Sequence, residues 1–369
     1  MRFQRFCIIL PFFLLLALSA CRRTSVSSVA DLTLALTAAG FVGNQACVVC
    51  HAAECKAHRD GRHANAMRAA QPAILKTLIP PAGPVPLAGY VLETQAQQLV
   101  LTRFLPPKGP VPLHLVLGSG KVGLTFVSIQ SADTLLETHM SYFPEGKQWD
   151  YTPGHEIRQK EDGVFGRVQH NPDARRCLGC YAVTLPDNAL APEPRFYGVG
   201  CESCLGPGQK HIAAIQRGDH GDTGMEPLQR LPSEKLNNLC GKCHRALKDV
   251  DVESTAGTQT QRFQPYALTR SRCRNADGSV LSCLTCHTPH ENVSTDLRSY
   301  EQTCLKCHTT LTNVPEPDHV SHLAHAKSCP VNARDGCIRC HMRDRQAFLG
   351  LFWKPMVDHL ISIPSKQRK

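Results

Sequence analysis

The alternation of apolar and polar positions changes character several times along this chain. Cys7 to Ala20 is apolar except for Pro11 and Ser19, and Arg2 and Arg5 precede it. That is the shape of an export signal, and the run is too short for a comfortable bilayer span. Residues 22–43 are rich in Ser, Thr and Ala and read as a tether. Ala52–Ala69 predicts a helix with His63 and Met67 one turn apart. Residues 72–115 are rich in Pro, including Pro80, Pro81, Pro84 and Pro86, which breaks any helix. Tyr90-Val91-Leu92, Gln98-Leu99-Val100-Leu101, Leu113–Leu117 and Val122–Ile129 are short β-like runs, with a turn signal at Gly118-Ser119-Gly120. Beyond residue 157 the pattern predicts short helices joined by loops, with an exposed loop over 252–262. The expected organisation is a signal over 1–20, a tether over 21–43, an N-terminal segment over 44–87, a β-rich insert over 88–156, a helical core over 157–361 and a basic tail over 362–369. The expected fold class is mainly α with much irregular structure and a small antiparallel β insert.

Composition sharpens this. Aromatic content is 6%, thin for a conventional core, and Pro and Gly at 26 each argue for many loops and turns. The formal charge of +10 would ordinarily point to acidic partners or nucleic acid. No basic run interleaves with aromatics, so no nucleic-acid groove is expected. Leu18-Ser19-Ala20-Cys21 resembles a bacterial lipobox, which implies cleavage before Cys21 and acylation of its thiol. A plain secretory signal is the competing reading.

The 19 cysteines carry the chemistry. Cys283-Leu284-Thr285-Cys286-His287 is a C-x-x-C-H pentad, the pattern for covalent attachment of c-type haem. Two thiols add to the porphyrin vinyls and the adjacent histidine becomes the proximal iron ligand. Intact pentads recur at Cys47/Cys50/His51, Cys240/Cys243/His244, Cys304/Cys307/His308 and Cys337/Cys340/His341. Two further pairs lack the histidine: Cys177/Cys180 is followed by Tyr181, and Cys201/Cys204 by Leu205. Five haems c are therefore expected and up to seven are possible. Their propionates would absorb the basic excess, and the macrocycles would serve as core in place of side chains. Structural zinc is the remaining alternative for the C-x-x-C pairs, but zinc has no need of a histidine directly after each pair.

The chain resembles the cytochrome c554-related multihaem c-type cytochromes of bacteria. The resemblance rests on Phe41-Val42-Gly43 before the first pentad with His63-Ala64-Asn65-Ala66-Met67 after it, Gly198-Val199-Gly200 before Cys201 with Gly206-Pro207-Gly208 beyond, Thr288-Pro289-His290 after the third pentad, and Met342 after the last. Leu117-Gly118-Ser119-Gly120 and Trp149–His155 resemble the β insert of family members. The resemblance implies a haem-filled fold, electron transfer, and second axial ligands at His63, His211, His290, His322 and His359. It also implies histidine where this chain has Tyr181 and Leu205.

His58, His155, His170 and His220 are expected not to ligate iron, and His114 and His139 to be surface or structural. The two broken sites leave three readings: no haem, haem held without a proximal histidine, or iron bound by the Tyr181 phenolate. A Cys273–Cys329 disulfide would suit an oxidising compartment. The expected function is an exported, lipid-anchored electron carrier on the periplasmic side of a bacterial membrane or at the outer membrane, exchanging electrons with redox partner proteins. The alternative is a redox enzyme acting on a small nitrogen or sulfur compound at an open haem.

Overall fold

The structure is a computed structural model that describes residues 39–79, 89–104, 107–155, 163–219, 221, 223–249, 260, 263–275, 277–308, 335–345 and 356–363. In chain order its elements are α1 (Ala52–Arg59), β1 (Met67–Ala69), α2 (Ala73–Thr77), β2 (Tyr90–Gln95), β3 (Gln98–Phe104), β4 (Pro107–Pro112), β5 (Leu115–Leu117), β6 (Leu124–Ile129), β7 (Thr134–Phe143), β8 (Gln148–Tyr151), β9 (Gly166–His170), α3 (Asp173–Gly179), α4 (Cys201–Leu205), α5 (Gln209–Gln216), α6 (Ser233–His244), α7 (Gln264–Arg270), α8 (Leu297–His308), α9 (Cys337–His341), β10 (Asp344–Arg345) and β11 (Met356–Val357). No helix among the described residues is long and apolar enough to cross a membrane.

Two antiparallel sheets dominate the first half. One runs β1-β5-β6-β7-β8, and β9 also pairs with β7. The other is β2-β3-β4. β7 is the hub: its far edge is shared, Thr134–Thr138 facing β9 and Met140–Phe143 facing β8. The run Leu115-Val116-Leu117 explains why the larger sheet is covered on both faces. Val116 points into a cluster with Leu92, Leu99, Leu101, Phe126, Met140 and Tyr142. Leu115 and Leu117 point the other way, to Met67, Val127, Leu135, Ala174 and Leu178. An unbroken apolar run suits a strand buried on both sides, and each such side chain contributes about 1.5–3 kcal/mol. The second cluster matters below, because Ala174 and Leu178 belong to α3, the helix that carries the broken Cys177/Cys180 site.

The expectation of a mainly α fold is overturned. Among the described residues helix accounts for 33% and strand for 22%, in several antiparallel sheets. The physical reason is that the apolar clusters among the described residues are built on the sheets. β7, the longest strand among the described residues, is buried on both faces but carries polar residues that break its apolar run, so the alternation pattern does not reveal it. The expected helix over Ala52–Ala69 is also shorter. It ends at Arg59; the Gly61 N–H closes a turn onto the His58 carbonyl at 2.8 Å, and a Cβ at 61 would lie 2.8 Å from that oxygen. Met67 is buried in β1, so it is not on a helix with His63.

Candidate haem centres

The pentads sit where helices start or stop. Cys240–His244 closes α6 and Cys304–His308 closes α8. Cys337–His341 is α9 itself, and Cys283–Thr285 is a single 3₁₀ turn. Cys47 follows a 3₁₀ turn over Asn44–Ala46, and His51 precedes α1. In each intact pentad the second thiol is exposed: Cys50, Cys243, Cys286, Cys307 and Cys340. In the broken sites the corresponding Cys180 and Cys204 are half-buried.

Three of the pentad histidines face a second imidazole. The ring centres of His51 and His211 are 6.2 Å apart, those of His63 and His244 6.2 Å, and those of His287 and His359 6.2 Å. An iron between two imidazoles sits about 2 Å from each nitrogen, and adding the ring radius on both sides puts the centres about 6 Å apart. The imidazoles come from remote parts of the chain, so nothing local forces one common spacing. The arrangement fits an axial pair in each case. The ring planes cross at 33° for His51/His211, 37° for His287/His359 and 64° for His63/His244.

Each partner is held by its neighbours. His359 Nδ1 lies 3.2 Å from the Val357 carbonyl, which leaves Nε2 as the free donor. Burial, with His287 beside it, pulls the His359 pKa down to about 4, so its ring is neutral, the form that binds a metal. Burial also lowers His287. His341 Nδ1 lies 2.9 Å from the Ser362 carbonyl, and the Ser362 N–H returns a bond to the His341 carbonyl at 3.1 Å. The segment with His359 therefore also orients His341. The His63 carbonyl accepts the Val199 N–H at 2.9 Å. The buried Nδ1 of His211 finds no hydrogen-bond partner, so this ring has an unused nitrogen. Sequence reading missed Val199, Val357 and Ser362 as supports because they act through backbone atoms.

The other expected ligands fare differently. His290 is exposed and lies beside His58, and among the described residues it forms no ring pair with a proximal histidine. His308 closes α8. His322, Cys329, His220 and Cys21 lie outside the described residues. His139, His155 and His114 are hydrogen-bonded within the β region. His139 Nδ1 is 3.2 Å from His155 Nδ1, His155 Nε2 is 3.3 Å from Glu137, and His114 Nδ1 accepts the Ile129 N–H at 3.0 Å. His170 is 3.0 Å from the Thr134 hydroxyl.

At the broken sites, Cys177 and Tyr181 pack against the apolar cluster under the larger sheet. Burial pushes the Cys177 thiol up to about 12, far from its reactive form. Leu205 is 37% exposed and offers no ligand atom. Thiols of different motifs meet. Cys201 hydrogen-bonds Cys47, which lowers Cys201 to about 7 and raises Cys47. Cys180 and Cys243 form a second pair, with Cys180 lowered to about 7 and Cys243 raised. Cys240 and Cys283 form a third. No group of three or more His, Cys, Asp or Glu side chains converges as a metal site among the described residues.

No family profile and no curated protein sequence matches the chain. A solved structure, the outer cell wall cytochrome OcwA, superposes with a TM-score of 0.50 at 17% identity, covering 88% of this chain and 80% of its own. The chain shares its fold with that cytochrome. The undecahaem cytochrome from the S-layer of Carboxydothermus ferrireducens aligns at a TM-score of 0.45 and 17% identity, with 91% of this chain spanning 54% of that one.

Proposed function

We propose that this chain is an exported multihaem c-type cytochrome that carries electrons between redox partner proteins through a series of haems c. The observation that carries the reading is the common 6.2 Å spacing of His51/His211, His63/His244 and His287/His359. Haem c, when bound, supplies a one-electron couple. The chain's own residues do the rest. Cys47/Cys50, Cys240/Cys243, Cys283/Cys286, Cys304/Cys307 and Cys337/Cys340 tether the five groups. His51, His244, His287, His308 and His341 ligate one face, and His211, His63 and His359 close the second face on three of them. A face closed by imidazole suits electron transfer, since it excludes small ligands and needs little rearrangement on reduction. Cys177/Cys180 and Cys201/Cys204 hold no haem in this reading, the first in keeping with the packing of partly buried Cys177 and Tyr181 against an apolar cluster. The four sequence motifs support kinship with the c554-related family. Export agrees with the signal-like N-terminus and with a neighbour described as an outer cell wall cytochrome; Cys21 is the lipid attachment point.

The test is the intact mass and ferric spectrum of the protein made in a host with haem-attachment machinery. Five haem-sized increments and a mostly low-spin spectrum are expected. Replacing His211, His63 or His359 with Ala should open one haem each to added imidazole. A colourless product, or seven increments, overturns this reading. A spectral shift of the unmodified protein on adding nitrite or hydroxylamine would bring forward the enzyme alternative.

A further inference from the structure

The motif Cys201–Leu205 has no histidine after its second cysteine, yet the residue in its middle is buried and closely bonded. Glu202 is 2% exposed. A buried carboxylate is costly unless its oxygens are satisfied. Here Oε1 accepts the Val42 N–H at 3.0 Å and the Gly208 N–H at 2.7 Å. Oε2 accepts the Gly43 N–H at 2.7 Å and lies 3.2 Å from the Val42 nitrogen. Charge-assisted bonds of this kind are roughly twice as strong as neutral ones.

The donors come from two segments. Val42 and Gly43 lead into the 3₁₀ turn Asn44–Ala46 and the pentad that ends in His51. Gly208 is the N-cap of α5, whose third residue is His211. Further bonds run between the same partners: the Cys201 N–H donates to Asn44 Oδ1 at 2.9 Å, and the Gln209 N–H to the Gly40 carbonyl at 3.2 Å. A Cβ on Gly208 would stand 3.0 Å from Val42 Cγ2 and 3.2 Å from Glu202 Oε1, so the fit leaves no slack. The two imidazoles that these segments carry face one another at 6.2 Å.

We propose that Glu202 is a positioning residue for the His51–His211 axial pair, so that the broken motif serves as a brace for the neighbouring haem. This rests on the haem reading above. The carboxylate ties the segment carrying the proximal ligand to the helix carrying the distal one. Without it the direct bond between the two segments is that of the Gln209 N–H to the Gly40 carbonyl, with Asn44 held to Cys201, and α5 can swing His211 off the iron.

The experiment compares E202Q, E202A, H211A and the E202Q/H211A double variant of the full haem-loaded protein. Haem count is read by intact mass, spin state by ferric absorption and electron paramagnetic resonance, and potentials by redox titration. Glutamine keeps the shape and can keep a carbonyl oxygen toward Val42 and Gly208, but it sets an amide NH₂ against the Gly43 N–H. Expected are an unchanged haem count, partial conversion of one haem to the high-spin form in E202Q, fuller conversion in E202A, and return to low spin on adding imidazole. The double variant should affect the same single haem as H211A alone, because both act on one pair. Unchanged spectra and potentials in E202Q and E202A, with only a lower melting temperature, overturn the proposal, as does a double variant with two affected haems. If H211A itself leaves the spectrum of the loaded protein unchanged, the axial-pair reading has failed and the brace falls with it.

Discussion

Gly198→Ala isolates the close approach that holds His63. Gly198 has φ +80°, and a Cβ there would run into the Ala64 carbonyl oxygen, with the Ala64 carbonyl carbon at 2.8 Å and the His63 oxygen at 3.1 Å. The neighbouring Val199 N–H bonds the His63 carbonyl at 2.9 Å. The left-handed backbone costs a non-glycine residue about 1–2 kcal/mol. Loss of the hydrogen bond adds about 1 kcal/mol, and the forced shift of a packed backbone about 1–3 kcal/mol. The sum is roughly 3–6 kcal/mol. Gly278→Ala is the control, because Gly278 also has φ +80° but no heavy atom within 4 Å of its Cβ position. It should lose only the backbone part, about 1–2 kcal/mol. Guanidinium unfolding of both variants, read in parallel with the ferric spectrum, makes the comparison. Gly198→Ala should lose more stability than Gly278→Ala and should weaken the one low-spin signal that His63→Ala removes. Equal losses in the two variants, or a His63-dependent signal left intact, would refute the reasoning.

Other consequences can be checked separately. The ring angles of 33° and 37° for His51/His211 and His287/His359 predict rhombic low-spin resonances, while the 64° crossing of His63/His244 predicts a more anisotropic one that His63→Ala abolishes; one signal type throughout would count against the geometry. Tyr181→His restores a full pentad, but Cys177 and residue 181 pack against the cluster with Leu178 and Leu135, so intact mass should show no added haem. Cys201→Ser and Cys180→Ser remove thiols that touch Cys47 and Cys243, and should raise the fraction of fully loaded protein by suppressing rival disulfides; an unchanged fraction, by mass, argues against that competition. Burial lowers the His114 pKa below its ordinary value of 6.5. The unfolded chain then takes up a proton that the folded chain refuses, so stability falls as pH drops below about 6.5. His114→Gln should flatten that slope in denaturant midpoints taken between pH 7.5 and 5, and an unaltered slope rules the residue out.

What could be read in advance follows the range of the underlying interaction. Haem attachment needs two thiols and a histidine within five consecutive residues, so the five intact pentads are visible without any fold. A second axial ligand has no such spacing. His51 and His211 are far apart in sequence, and only the family resemblance singled out His63, His211, His290, His322 and His359 as candidates. The strand β7 was missed for a different reason. In Thr134–Phe143 the polar members Glu137, His139 and Ser141 break the apolar run, and the pattern looks like neither a helix nor a half-buried strand. The structure satisfies them internally: Glu137 with Gln169 at 2.9 Å, His139 with the Gly163 carbonyl at 2.9 Å, and Ser141 with Thr152 at 2.8 Å. Buried polar groups that are fully paired look, in one dimension, like surface.

The broken motifs show the same limit from the other side. A C-x-x-C pair without its histidine reads as loss, because the attachment chemistry is local and the missing residue is conspicuous. The segment around Cys201–Leu205 nevertheless contacts two of the histidine-bearing regions: Gly198 and Val199 fit against the loop of His63, and Glu202 joins the chain before His51 to the helix of His211. Glu202 sits between the two cysteines, where the attachment chemistry leaves the residue type open. Its burial and its backbone donors account for it as part of the scaffold instead. The demand on residue 202 is thus set by Val42, Gly43 and Gly208 rather than by the motif in which it lies.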